Sequence, residues 1–349
     1  MSKSNIYRAI FFEKPDYIPM TFAINGACWH HYPQEWLVEQ LVNHPFLFPN
    51  YAPPKLPYTP EYQLVGRKDE PYTDDFGCTW YTADDGITGT VLGHPLADWD
   101  AFDNYTFPDP EKCMGIGPVD WDAERERIQS ARAKGDFVSA SLRHGHTFLQ
   151  LSDIRGYQNL LFDMADDEPR LWQLIEGVEA FNQAIVDHYL DIGVDMFGFP
   201  EDLGMQVGPM LSPDDFRTYI KPSYKRMMDS VRRKGLPIHM HSDGDIRMLV
   251  DDIVDSGVVY INLQDLVNGI DWIKERFRGK MCVDLDIDRQ NVTVFGTPQQ
   301  VDELIRTEVE ALATPEGGLS MIYGLYPGTP MANVKALMDA MEKYAFYFS

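Results

Sequence analysis

The chain has 349 residues, of which 44% are hydrophobic and 24% are charged, and its formal net charge is −24. This composition excludes a disordered chain and indicates a globular one with a large core. The anionic balance argues against nucleic acid and anionic membranes as partners, because both attract clustered lysine and arginine. The length suits one elaborated barrel, so we expect a single domain over residues 1–349.

The cysteines and the N-terminal residues indicate the cellular compartment in which we expect the protein. Cys28, Cys78, Cys113 and Cys282 form no CxxC pair, and residues 1–7 are polar and lack the apolar region of a signal peptide. No apolar run approaches the roughly 18 residues that span a bilayer. We therefore expect reduced thiols in a cytoplasmic protein.

The N-terminal third of the chain begins with a predicted strand, 18–24, that follows Pro15 and Asp16. Residues 44–110 are rich in Pro, Tyr, Asp and Gly and show little periodicity. Such a stretch is too long for a plain loop. We expect an insertion with short strands that caps the first strand–helix junction.

Strand and helix patterns alternate after residue 110. The predicted strands are 137–142, 195–200, 236–241, 258–263, 281–287 and 319–323. The predicted helices with clear bounds are 121–133, 247–256, 270–277, 297–312 and 331–346. Two more helices lie within 155–192, with a break near 166–169. A further helix begins at the Ser212 cap and ends near residue 234. Alternation of this kind implies parallel strands with right-handed crossovers. The predicted fold class is α/β: a (β/α)8 TIM barrel whose N-terminal insertion caps the barrel mouth.

The segment HMHSDGD, residues 239–245, follows a short apolar run and is the most informative motif. Its histidines, His239 and His241, stand at i and i+2 and so share one face of a strand. Imidazole is the commonest zinc ligand, and Glu201 or Asp202 on the neighbouring strand could add a third. The alternative is that both histidines hydrogen-bond to the following aspartates or to a substrate, without a metal.

Polar residues also follow other predicted strands, as expected where strand ends line a barrel mouth. Adjacent residues on a strand face opposite ways, so one of Glu201 and Asp202 would lie inside and the other in the wall. Helix capping or a salt bridge is the alternative role for both. His144 and His146 either line the pocket or cap the next helix. Cys282 fits an inert core thiol better than a ligand.

Several motifs together resemble the uroporphyrinogen decarboxylase superfamily. They are residues 195–213, 216–222 and 239–245, FGTP at 295–298, GG at 317–318, PGTP at 327–330 and NVK at 333–335. The resemblance implies a (β/α)8 barrel and two known chemistries. One is cofactor-free decarboxylation of porphyrinogen acetate groups, and the other is zinc-dependent methyl transfer to or from a corrinoid protein.

Departures from the family patterns narrow this choice. Decarboxylases carry an arginine-rich N-terminal motif, whereas residues 19–32 contain no arginine. Thiol-activating methyltransferases hold zinc with His-x-Cys and a late Cys, and here His241 and Leu325 stand at the two cysteine positions. A site of nitrogen and oxygen ligands suits an oxygen substrate. The HSDGD variant is similar to substrate-side methyltransferases of O-demethylase systems in anaerobic metabolism.

We therefore predict a methyltransferase that moves a methyl group from an aromatic methyl ether, a small molecule, to a corrinoid protein. The resemblance and the motifs together give zinc ligands His239, His241 and Glu201, catalytic residues Asp202, Asp243 and His241, and substrate contacts His146, Tyr323, Gln206 and Trp29. The alternatives are a cofactor-free decarboxylase and a non-catalytic barrel that binds a tetrapyrrole or a partner.

Overall fold

A computed structural model describes residues 4–348 of the chain. Its strands are β1 (Met20–Ile24), β2 (Tyr72–Thr73), β3 (Thr79–Tyr81), β4 (Thr90–Gly93), β5 (Ser139–Ser141), β6 (Met196–Pro200), β7 (Ile238–Ser242), β8 (Tyr260–Gln264), β9 (Cys282–Asp286) and β10 (Leu319–Leu325). Strands of the main sheet alternate with helices after residue 110, which is the α/β pattern that the sequence predicts.

The helices range from single turns to 24 residues. They are α1 (Asn5–Ile10), α2 (Cys28–His31), α3 (Gln34–Asn43), α4 (Trp121–Ala133), α5 (Phe148–Arg155), α6 (Tyr157–Ala165), α7 (Pro169–Ile192), α8 (Pro213–Asp215), α9 (Lys221–Arg233), α10 (Val250–Ser256), α11 (Asp265–Asn268), α12 (Ile270–Phe277), α13 (Val292–Phe295), α14 (Pro298–Leu312) and α15 (Met331–Ala345). Among residues 4–348, none of these helices has the length and apolarity that crossing a membrane requires.

Seven strands form one sheet in the order β1-β10-β9-β8-β7-β6-β5, and each pairing with a described register is parallel. A separate antiparallel sheet has the order β2-β3-β4. The short strands predicted within residues 44–110 are therefore present.

The chain divides into two compact units. The first comprises Asp69–Thr82 and Gly89–Ile261, and the second comprises the described residues up to Lys68, Ala83–Thr88 and the described residues from Asn262 onward. In the first unit, β5, β6 and β7 are neighbours, and apolar side chains such as Phe197, Phe199 and Met240 are fully buried. In the second unit, β1, β10 and β9 are neighbours, with Met321 and Leu325 buried.

Helix ends follow the local sequence signals closely. The hydroxyl of Ser212 accepts a hydrogen bond from the backbone N–H of Asp215 (3.0 Å), as the predicted cap requires. Thr297 and Gln300 form a reciprocal capping box at the start of α14. The break between α6 and α7 falls at residues 166–168, in agreement with the prediction.

The single helix predicted from Ser212 to residue 234 is interrupted. A π-helical turn, Phe216–Ile220, separates α8 from α9, and Pro222 is the second residue of α9. Proline lacks an N–H and its ring crowds the carbonyl four residues earlier, so a wider turn before it relieves the clash. The helix α5 was not predicted, because its sequence, FLQLSDIR, is almost wholly buried and has little amphipathic contrast.

Candidate active site at the ends of three parallel strands

The first unit brings polar residues together at the carboxyl ends of β5, β6 and β7. The register pairs Ser141 with Gly198 and Pro200 with His241. The residues that follow these pairs therefore emerge at one edge of the sheet. In parallel α/β sheets this edge is where ligands bind.

His144, Asp202 and His241 form a cluster at this edge. The Nε2 atom of His144 lies 3.3 Å from Oδ1 of Asp202, and Nε2 of His241 lies 3.4 Å from the same oxygen. One ligand atom from each residue lies within 4.8 Å of the others. The three side chains range from 22% to 50% exposed, so the cluster is open to solvent on one side.

Asp202 stays ionised in this setting. Burial alone would raise the pKa of its carboxyl, but hydrogen bonds and charge interactions with His144 and His241 outweigh burial and lower the pKa well below its usual value. The backbone N–H of Asp243 also donates to Oδ1 (3.0 Å). Asp202 is therefore a fixed anion that orients two imidazoles.

Asp243 and His239 of the HMHSDGD segment lie on either side of His241 in the sequence. The carboxylate oxygen Oδ1 of Asp243 is 3.8 Å from Nε2 of His241. His239 lies earlier on β7 and is half-buried, and its ring packs against Tyr260 with centroids 4.4 Å apart. Burial alternates along β7, so both histidines share the less buried face, as their spacing predicts.

Glu201 is fully buried whereas Asp202 is 28% exposed, so the two adjacent residues divide as the sequence predicts, although both lie just beyond β6. Oε1 of Glu201 accepts the backbone N–H groups of Thr147 (3.1 Å) and Leu149 (2.9 Å) at the start of α5, and its Oε2 accepts the hydroxyl of Tyr224. Oε1 therefore caps α5, which is the alternative role that the sequence left open, and Oε2 is engaged by Tyr224. This arrangement gives no support to Glu201 as a zinc ligand and favours Asp202 in its place.

Burial changes the protonation of Glu201 and His146. Burial raises the pKa of Glu201 to about 7, although the hydrogen bonds from Tyr224 and the backbone oppose that shift. Burial, with the nearby charges of His144 and Arg143, lowers the pKa of His146 to about 3. The His146 ring is thus neutral, and its Nδ1 is 2.6 Å from the hydroxyl of Thr147.

The remaining predicted substrate contacts lie outside this cluster. Gln206 is exposed on the loop after β6 in the first unit. Tyr323 and Trp29 belong to the second unit. There, the buried Tyr323 hydroxyl lies 3.2 Å from that of Thr329, and the half-buried Trp29 packs against Tyr58 with ring centroids 4.8 Å apart. Their roles as substrate contacts stay predictions.

His144 is a cluster residue that the predicted set left out in favour of His146. On an extended strand the two histidines would share a face. Gly145 has φ +73°, and its N–H donates to the carbonyl of Pro200 (3.0 Å), so the chain turns between them. The glycine within His-Gly-His is the sequence signal that could have separated an exposed His144 from a buried His146.

Two imidazoles and one carboxylate are a donor set typical of zinc and related divalent ions. A catalytic zinc uses about three protein ligands and leaves a position for water or substrate. The partial exposure of this cluster is compatible with such an open position. The geometry thus defines a candidate site for metal-assisted or acid–base chemistry on an α/β scaffold.

Comparison with known proteins shows the family to which the chain belongs. The sequence profile of the family described as uroporphyrinogen decarboxylase (URO-D) matches residues 77–344, which is well over half of the chain. The chain therefore belongs to the uroporphyrinogen decarboxylase family. The superfamily resemblance drawn from the sequence motifs is confirmed.

Individual relatives are distant. A uroporphyrinogen decarboxylase of Thermus thermophilus is 29% identical over 140 residues, or 39% of this chain and 38% of the relative. The enzyme of Prochlorococcus marinus (strain MIT 9211) is 25% identical over 66% of this chain and 64% of its own length. The matches thus span less than two thirds of these curated relatives.

A solved structure described as a methyltransferase from Methanosarcina mazei has the same fold. It aligns with a TM-score of 0.63 at 16% identity, over 98% of this chain and 99% of its own. At that identity the likeness establishes the fold alone.

Proposed function

We propose that this protein transfers the methyl group of an aromatic methyl ether to the reduced cobalt of a corrinoid carried by a separate protein. The observation that carries the proposal is the convergence of His144, Asp202 and His241 at the ends of three neighbouring parallel strands. Membership of the uroporphyrinogen decarboxylase family and the fold shared with a methyltransferase support it.

We also propose that the seven-stranded sheet is part of a (β/α)8 barrel in a single domain. Residues 44–110 would then cap its mouth, and the protein would be cytoplasmic. The parallel pairing of the strands and the alternation with helices support the barrel.

The cluster fits a zinc ion in its donor chemistry. Its nitrogen and oxygen atoms lie at mutual distances of 3.3 and 3.4 Å, close to the roughly 3.3 Å expected between ligands about 2.0 Å from one tetrahedral ion. His144, Asp202 and His241 would hold the metal. Bound zinc would supply Lewis acidity toward the ether oxygen.

The reaction requires the O–CH3 bond to break while the reduced cobalt of the corrinoid supplies the electron pair of the new cobalt–carbon bond. The electron pair of the broken bond stays on the phenolate oxygen, which then takes up a proton. Asp202 holds the two imidazoles, and the carboxyl of Asp243, which is 36% exposed, lies 3.8 Å from Nε2 of His241. We assign Asp243 the delivery of the proton to the phenolate.

The test pairs metal analysis with an activity assay. Protein purified without chelator should contain about one or more equivalents of zinc and should methylate reduced cobalamin from methoxyarenes. His241→Ala should lose both the cluster metal and the activity, whereas His188→Ala, at a histidine paired with Glu111 away from the cluster, should keep both. Metal-free wild-type protein that still transfers methyl would rule out zinc, and no methylated cobalamin from any methoxyarene would rule out the ether reaction.

Decarboxylation is the second candidate function, because the family profile and the curated relatives carry that name. It would need neither a metal nor a corrinoid. Release of CO2 from a carboxylated tetrapyrrole without corrinoid would favour it. The absence of arginine from residues 19–32 and the net charge of −24 disfavour a substrate with many carboxylates.

A further inference from the structure

A second group of side chains that could hold a metal ion lies in the second unit, outside the HMHSDGD segment. His30 and His31 end the short helix α2, and Asp84 stands in a turn 53 residues beyond His31. Nε2 of His30 lies 3.0 Å from Oδ1 of Asp84, and Nε2 of His31 lies 2.8 Å from Oδ2. The two imidazoles therefore meet one carboxylate.

The backbone holds the turn that carries Asp84 against the start of α2. Gly86 has φ +85°, and a Cβ added there would lie 2.4 Å from the backbone nitrogen of Ala27. The N–H of Gly86 also donates to the carbonyl of Gly66 (2.8 Å). Because a tight backbone contact fixes the turn, the position of the carboxylate does not depend on the flexible ion pairs alone.

Tyr62 supports the outer side of the same group. Its hydroxyl lies 3.4 Å from Nδ1 of His30, and its ring packs against Gly26 beside the helix. Histidines that bind metal through one ring nitrogen commonly direct the other to such a partner, which fixes the ring orientation. His30 thus has its Nε2 directed to Asp84 and its Nδ1 directed to a supporting hydroxyl.

We propose that His30, His31 and Asp84 form a binding site for a divalent transition-metal ion of the zinc class. One ligand atom from each residue lies within 4.8 Å of the others. The nitrogen–oxygen distances of 3.0 and 2.8 Å are a few tenths of an ångström below the roughly 3.3 Å that ligands of one tetrahedral zinc keep. Small rotations of exposed side chains bridge that difference.

The exposure of His30, His31 and Asp84 indicates an open metal site rather than a closed one. They are 38%, 41% and 40% exposed, so a bound ion keeps coordination positions that face solvent. A closed structural zinc site would supply four protein ligands. This site therefore takes a metal together with water or a small anionic ligand.

The experiment uses the full chain in a His144→Ala/His241→Ala background, which removes the cluster of the first unit. After chelator treatment and dialysis, Zn2+ is titrated calorimetrically, and Co2+ is titrated by visible absorption. We expect this background to bind one equivalent of each metal. His31→Ala and Asp84→Asn, added to it, should each weaken Zn2+ binding at least about 100-fold, since even outer-shell partners of a metal contribute about 10- to 100-fold.

Matched variants separate a metal site from a simple hydrogen-bonded group. His188→Ala in the same background should leave binding unchanged, because His188 pairs at 2.8 Å with Glu111 without a second histidine. Gly86→Ala should weaken binding while all three ligands remain. A background protein that takes up no Zn2+, or one whose binding survives His31→Ala and Asp84→Asn, would overturn the proposal. Since the background lacks the first cluster, the result is independent of the proposed methyl transfer.

Discussion

Oδ1 of Asp202 and Nε2 of His241 lie 3.4 Å apart, and that same oxygen also meets Nε2 of His144 and the backbone N–H of Asp243. One carboxylate oxygen thus fixes groups from the ends of three strands. A partly exposed anion held by several donors is typical of a site that binds an electrophile or a metal.

Asp202→Asn should separate the charge of this residue from its hydrogen bonding. The amide oxygen still accepts the N–H of Asp243, so the loop should keep its structure, but the anion between the imidazoles is lost. We expect zinc affinity and the methyl-transfer rate each to fall about 10- to 100-fold or more. Calorimetric titration of chelator-treated protein with Zn2+ and the cobalamin assay measure the two effects.

Asp187→Asn is the control for this variant, since Asp187 is exposed on α7 and accepts a hydrogen bond from the side chain of Gln183, one turn earlier on the same helix. It should change neither property. Wild-type zinc affinity and activity in Asp202→Asn would show that the carboxylate is not part of the working site.

Glu201 should make the stability of the protein depend on pH. Its folded-state pKa of about 7 exceeds the ordinary value of 4.5, so the folded protein holds the proton more tightly than the unfolded chain does. The stability that this provides is fully present below about pH 4.5 and is lost as pH rises through about 7. The loss amounts to about 3 kcal/mol.

Urea unfolding of the wild type and Glu201→Gln between pH 5 and pH 8 measures this contribution. Relative to the wild type, the glutamine variant should become more stable as pH rises, because it carries no titrating proton. Glu126→Gln, on the exposed face of α4, should follow the wild type at every pH. A constant difference between the wild type and Glu201→Gln would contradict the raised pKa.

Most of the helices and strands after residue 110 could be predicted because their signals are local. Caps at Ser212 and Thr297 set helix starts, and apolar runs between glycines and prolines set strands to within about two residues. The superfamily was also recognisable, because its motifs are short and contiguous in the chain.

The two histidine–aspartate clusters were only partly predictable, for different physical reasons. His241 and Asp202 follow from strand alternation, but the turn at Gly145 breaks that alternation and exposes His144. Asp84 meets His30 and His31 through a backbone contact at Gly86. Long-range contacts of this kind leave no periodic pattern in the sequence.

The four cysteines should react slowly in the folded protein. Cys28, Cys78, Cys113 and Cys282 are all buried. Burial raises the pKa of Cys28 to about 12 and that of Cys113 to about 11, and it also raises those of Cys78 and Cys282. Because the thiolate is the nucleophile, little reactive form exists at pH 8.

Thiol titration with a disulfide reagent at pH 8 checks this expectation. Native protein should release much less than one equivalent in the time in which denatured protein releases four. Rapid labelling of Cys28, whose Sγ lies 3.3 Å from the carbonyl oxygen of Leu325, would instead reveal a thiolate in the second unit.

Glu308 should destabilise the folded protein at alkaline pH. Its carboxyl is buried beside that of Asp265, and burial together with the charge of Asp265 raises the pKa of Glu308 well above its usual value. The backbone N–H groups of Leu266 and Asp288 donate to Asp265, which favours the proton on Glu308. As for any carboxyl with a raised pKa, the contribution of Glu308 to the stability of the folded protein is fully present below about pH 4.5 and falls as pH rises.

Glu308→Gln should therefore be close to the wild type in stability at pH 5 and more stable at pH 8, by about 1–3 kcal/mol. The glutamine amide donates to Asp265 without taking up a proton, whereas folded Glu308 must hold a proton that the unfolded chain loses as pH rises. Urea unfolding at the two pH values measures the difference, and Glu310→Gln, whose carboxylate pairs with Arg306 on the surface, is the control. A variant that is less stable than the wild type at pH 8 would mean that the ionised Glu308 carboxylate has a compensating donor.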